Sequence, residues 1–162
     1  MPVAKWNSWQ LRIGGLFLLW YYGLMIYLAA DHRGFQLKEG LKKYLIEKGY
    51  EIEDVGAYAY DQGDDYVDFA LLAAEKIVQN PTTDRGVFIC GSGIGMEIVA
   101  DKYRGLHAAP AATPEIAKQS REHGNTNVLV LGADYLTPDQ AKEIVSAWLA
   151  TPFSGEERHA RH

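Results

Sequence analysis

The chain has 162 residues, a formal net charge of −5, 48% hydrophobic and 23% charged residues, and a single cysteine. Those values fit one globular domain and leave out a disordered or collagen-like chain, whose composition would be strongly biased. One cysteine cannot form an intrachain disulfide, and the acidic balance gives a nucleic-acid partner no electrostatic footing.

No charged residue occurs from Ile13 to Ala30, which comes near the ~18 apolar residues that suggest a membrane span. A membrane anchor or a signal peptide would use Lys5 and Arg12 as its basic flank and Leu28-Ala29-Ala30 as a small-residue cleavage site. The last third of the run, MIYLAA, is however needed as a strand leading into Asp31-His32. We therefore expect residues 1–24 to be a hydrophobic extension outside the domain, the domain itself to span 25–162, and the protein to be cytoplasmic without membrane contact.

From there strand and helix patterns alternate. Ile26–Ala30 is a short apolar run; Leu37, Leu41, Tyr44 and Leu45 recur at helical spacing, with Gly49 where a helix ends. Glu51–Val55 alternates as a second strand, and Val67, Leu71, Ala74 and Val78 mark a helix closed by Asn80-Pro81. Gly86–Cys90 is a continuous apolar strand, followed by GSGIG and a helix carrying Ile94, Ile98 and Val99. Leu106–Ala109 reads as the fourth strand, Thr113-Pro114 as a helix start, and Val128–Leu131 as the fifth strand. Thr137-Pro138-Asp139-Gln140 resembles a capping box before Ala141, Ile144, Val145 and Trp148 on one buried face. Five strands alternating with five helices through short loops imply an α/β fold: a five-stranded parallel sheet in a three-layer α/β/α sandwich. Ligands of such sheets bind outside the carboxyl ends of the strands, where the strand order reverses.

Cys90 closes the third strand and opens a glycine-rich turn, where a helix N-terminus facing a thiol favours the thiolate. A free cysteine is as often a small buried hydrophobe. Gly91-Ser92-Gly93-Ile94-Gly95 lets backbone N–H groups approach an anion or a developing oxyanion. It lacks the spacing of a dinucleotide fingerprint and the lysine of a P-loop, and taken alone it is also an ordinary tight turn. Asp31-His32 ends the first strand, with Asp31 a natural N-cap; His123 ends the fourth helix in REHGNTN, with Gly124 as its cap. These residues are expected to bring a thiol, a carboxylate and two imidazoles to one edge of the sheet, an acid–base set without metal-ligand spacing. A serine hydrolase is disfavoured because Ser92 lies in G-S-G rather than in a G-x-S-x-G elbow. The spacing of Cys90 and His123 is also compatible with a cysteine hydrolase.

Residues 25–158 resemble the type B ribose-5-phosphate isomerases and their galactose-6-phosphate isomerase relatives. The resemblance rests on AADHRGFQLKEGLKKYL, the Asp65-Tyr66 pair, ICGSGIGMEIVADKYRG, SREHGNTNVLVLG and TPFSGEERHAR. It implies a flavodoxin-like or Rossmann-like sandwich, no metal or other cofactor, and a homodimer or homotetramer with active sites between subunits. It also implies aldose–ketose isomerisation through a cis-enediolate. In that scheme Cys90 moves the proton, the amides of Gly91, Gly93 and Gly95 with Ser92 hold the enediolate oxygens, and His123 opens the sugar ring. Asp31 and Tyr66 orient substrate hydroxyls, while His32 and Arg158 contact the phosphate.

Some positions depart from the family pattern. Asp134 stands where an arginine usually grips the phosphate, and His162 stands at the second arginine of the R-H-x-x-R pattern, with Arg161 one place early. Gly124 and Asp101 stand at two substrate-binding asparagines, Val67 at a proline, and His107 at an arginine of the fourth strand. Aspartate beside a bound dianion is destabilising and bidentate arginine contacts are hard to replace. The isomerase chemistry is therefore expected to survive better than the phosphate site. The alternatives are an isomerase of a different or unphosphorylated sugar, or a non-catalytic sugar-binding subunit, against which the presence of both Cys90 and His123 argues.

Overall fold

Apolar runs that are buried on both sides become the central strands. The computed structural model describes residues 23–162, so nearly all of the extension expected at residues 1–24 lies outside the described residues. β1 (Met25–Ala30), β2 (Glu51–Gly56), β3 (Arg85–Cys90), β4 (Ala108–Pro110) and β5 (Val128–Gly132) form one parallel sheet in the order β2-β1-β3-β5-β4. The first three strands follow the flavodoxin order 2-1-3-4-5, and the last two are exchanged. The helices α1 (Phe35–Glu47), α4 (Pro114–Gly124) and α5 (Pro138–Ala150) cover one face, where Leu41, Leu45, Ile144 and Trp148 pack on Leu28, Ile89 and Leu131. Across the sheet α2 (Tyr66–Ile77) and α3 (Ile94–Ala100) cover Phe88, Cys90 and Val130 with Ala73, Ile77, Met96 and Val99. Among the described residues no helix is long and apolar enough to cross a membrane.

Local signals set the helix ends. Thr113 Oγ1 accepts from the Ile116 N–H with Pro114 at the first helical position, and Thr137 with Gln140 closes a reciprocal capping box. Gly49, at φ +86°, follows the end of α1. Three expectations shift. The fourth strand begins at Ala108 rather than Leu106, because the Leu106 amide closes a turn on the Tyr103 carbonyl and the His107 amide is taken by the Asn127 side chain. Asn125, not Gly124, is the left-handed cap of α4, at φ +46°, and its side chain accepts from Arg121. The buried face of α2 is Ala70, Ala73, Ala74 and Ile77, which leaves Leu71 and Leu72 at the surface, and on α3 Ile94 and Ile98 are exposed. A short α6 (Glu157–Arg161), not anticipated from the pattern, follows the last core helix.

Candidate active site

The sheet order reverses between β1 and β3, so the carboxyl ends of these two strands form the expected crevice. At the end of β1, Asp31 is buried and its Oδ1 accepts from the Arg33 and Gly34 amides, both at 3.0 Å. The carboxylate thus fixes the turn into α1, whose own N-cap is Gly34 without a side-chain bond. The turn packs against β3: a Cβ on Gly34 would lie 2.5 Å from the Ile89 carbonyl oxygen. His32 is held twice by Asp64, which accepts at Oδ1 from the backbone N–H at 3.0 Å and pairs with Nδ1 at 2.6 Å. The His32 and Tyr60 rings stand nearly perpendicular, their centroids 6.3 Å apart.

The turn after β3 completes this half of the site. Gly93 has φ +85°, a conformation that favours glycine, and it aims its N–H at the Cys90 sulfur, 3.1 Å away. Ser92 is exposed, and its Oγ accepts from the Ile94 N–H at 3.4 Å. Tyr66 opens α2, capped by Asp65, and lies where a Cβ on Gly95 would be, 2.6 Å from its ring. The carboxyl edge therefore gathers Cys90, Ser92, Asp31, His32, Tyr66 and the amides of residues 91–95. A sulfur beside backbone N–H donors can take a proton from carbon while those donors receive charge on the adjoining oxygens.

The remaining expected residues lie at the opposite edge. α4 runs antiparallel to the strands, so its last turn returns to the start of β5. His123 is exposed there, its ring 4.2 Å from that of His159, and the Ser154 N–H donates to the Glu122 carbonyl at 3.1 Å. Arg121, buried between Thr126, Asn125 and Thr151, locks this end of α4 to the C-terminal segment that carries Arg158. Gly124 lends its carbonyl to His107 Nδ1 at 3.2 Å. Asp101, at the lower end of α3, accepts from the Ala108 amide at 3.0 Å and so ties that helix to β4. The expected single edge is thus corrected. β3 alone, six residues rising about 3.3 Å per step, separates the Cys90 end from the His123 end by about 17 Å within one chain. Asp101 and Gly124 likewise lie away from the thiol, on backbone duties.

Two further residues take part. Asp64 belongs to no motif, and only the fold brings it to His32, 32 residues away in the chain. Arg33 pairs with Asp134, about a hundred residues away in the chain, and lies over Gly91. Among the described residues no group of three or more His, Cys, Asp or Glu side chains is arranged to hold a metal ion.

The Ribose/Galactose Isomerase family model matches residues 26–162. The chain belongs to that family. It is 38% identical to the probable ribose-5-phosphate isomerase B of Mycoplasma genitalium over 84% of this chain and 89% of that protein. It is also 38% identical to ribose-5-phosphate isomerase B of Mycobacterium tuberculosis strain H37Rv, over 86% and 85%. The crystal structure of the Mycoplasma genitalium enzyme with bound ribulose-5-phosphate superposes with TM-score 0.83 at 37% identity, covering 86% of this chain and 91% of that one. The Thermotoga maritima ribose 5-phosphate isomerase superposes with TM-score 0.81 at 41% identity, covering 86% and 94%. The three-layer α/β fold expected from the sequence is thereby the family's fold.

Proposed function

We propose that this protein is a metal-independent aldose–ketose isomerase that interconverts ribose 5-phosphate and ribulose 5-phosphate. The observation that carries the reading is the Cys90 sulfur receiving the Gly93 N–H at the strand-order switch, in a chain whose relatives are named ribose-5-phosphate isomerase B. Cys90 removes the proton from the carbon beside the carbonyl of the open-chain sugar and returns it to the neighbouring carbon. The amides of Gly91, Gly93 and Gly95, with the Ser92 hydroxyl, hold the two oxygens of the cis-enediolate. Asp31 and Tyr66 orient substrate hydroxyls, and His32, held by Asp64, faces the phosphate. The bound ribulose-5-phosphate of the Mycoplasma genitalium relative favours this substrate over an unphosphorylated one, and Asp134 is neutralised by Arg33 rather than left to repel it.

His123 and Arg158 are the ring-opening acid and a phosphate cation of a neighbouring site, supplied by a second copy of the chain. Their separation from Cys90 within one chain supports a homo-oligomer with interfacial sites. So does the apolar surface on the α2/α3 layer, where Leu71, Leu72, Ile94 and Ile98 are all exposed. Residues 25–162 are the unit that folds and acts, in keeping with the family match over 26–162. A reaction that needs a free thiol fits a cytoplasmic setting.

The test is direct. Purified protein mixed with ribose 5-phosphate should form ribulose 5-phosphate without added metal and in the presence of a chelator. Cys90→Ala should lower kcat by at least about 10²-fold with the melting temperature little changed. Failure of the unaltered protein to turn over ribose 5-phosphate would overturn the reading, and full activity in Cys90→Ala would remove the thiol from its role.

A further inference from the structure

The carboxyl edge carries three carboxylates, Asp31, Asp64 and Asp134, around the place where a sugar phosphate would have to arrive. Asp64 adds to this charge with an oxygen, Oδ2, that is buried without a hydrogen-bond partner. His32 is already engaged by Asp64 through Nδ1. The permanent cation among these residues is Arg33. Its backbone is pinned by the Asp31 carboxylate, and its side chain leaves the end of β1, crosses Gly91 and reaches Asp134 beyond the end of β5. The crossing is close: a Cβ at 91 would lie 2.5 Å from Arg33 Nε and 2.6 Å from Cζ and would push the guanidinium aside. Asp134 occupies one terminal nitrogen, and the side chain remains 56% exposed. A guanidinium has five N–H donors in a rigid fork, so donors are left over for a second anion.

Building on the isomerase reading, we propose that Arg33 is the residue that makes this site specific for a phosphorylated substrate. Its guanidinium takes the phosphate oxygens, and Asp134 is the positioning residue that stretches it across the glycine turn. The cation that would otherwise stand after β5 is delivered from the end of β1. The aspartate at 134 then serves the phosphate through its partner instead of opposing it.

The test measures ribose 5-phosphate kinetics, and inorganic phosphate as both competitive inhibitor and calorimetric ligand. Arg33→Met should raise KM for ribose 5-phosphate and weaken phosphate binding by about tenfold or more, with kcat within about threefold of the unaltered enzyme. Arg33→Lys should recover part of the loss. Asp134→Arg placed on Arg33→Met should recover at least threefold, by returning a guanidinium to the same mouth. A change below threefold in both KM and phosphate affinity for Arg33→Met, or a loss confined to kcat and melting temperature, would overturn the assignment. Turnover by the unaltered protein tests the isomerase reading separately. If it were absent, calorimetric binding of phosphate to the Arg33 and Arg33→Met proteins would still decide the role of Arg33.

Discussion

At Cys90 a packing atom and a base differ by what surrounds the sulfur. Its strand is covered by Met96 and Val99 on the helical side, which a small hydrophobe would suit, but the left-handed Gly93 directs an N–H at the sulfur and leaves the turn open to solvent at Ser92. Replacing Gly93 by alanine should therefore damage activity as well as fold. The new Cβ would strain a φ of +85° and stand 3.2 Å from Val130 Cγ1; we expect a stability loss of roughly 1 to 3 kcal/mol by urea unfolding together with a fall in kcat. Cys90, Asp31 and the glycine turn were legible because apolar strands announce their own carboxyl ends. Arg33 was not, because its role depends on a partner about a hundred residues away that only the fold brings near.

Helix and strand ends show a second kind of dependence, on charge. Lys38 on α1 is fully buried and donates to Asp54 on β2 at 2.5 Å and to the Ala57 carbonyl at 2.7 Å, while Lys42 reaches the other Asp54 oxygen at 2.6 Å. Burial alone would push the Asp54 carboxyl up, but the hydrogen bonds from Lys38, Lys42 and the Gly56 amide hold it below the usual carboxylate range. A carboxyl depressed on folding stabilises above its unfolded pKa of about 3.9, and that contribution is lost as pH falls through the folded value. Asp54→Ala leaves the Lys38 cation buried without this partner, and should cost about 3 to 5 kcal/mol in urea unfolding at neutral pH. At the far end of the sheet, desolvation and then the neighbouring His123 lower the pKa of the His159 imidazole. The folded state then binds that proton less readily than the unfolded chain, so acidification below about 6.5 works against the ring contact. A proton NMR titration should find the His159 midpoint below that of a free histidine, and His123→Ala should move it upward. The capping box and the buried face of α5 could be read from sequence, but the faces of α2 and α3 could not. An apolar residue at helical spacing looks the same whether it meets its own core or another molecule, as Leu71 and Ile98 do not meet the core here.

Across the whole molecule, Cys90 and His123 stand at opposite edges of one sheet, and the proposed isomerase site needs both. The direction of α4 was implicit in the sequence, since a helix between two parallel strands must return to the starting edge and His123 precedes β5 by only a few residues. No strand pattern conveys the proposed meeting of the two edges across a subunit boundary. Mixing two inactive variants, Cys90→Ala and His123→Ala, after dissociation and reassembly tests this most directly. If one copy supplies the thiol and another the imidazole, each mixed dimer holds one intact site, and ribose 5-phosphate isomerase activity should return to about a quarter of that of the unaltered enzyme. A mixture no more active than its parent variants would contradict the account.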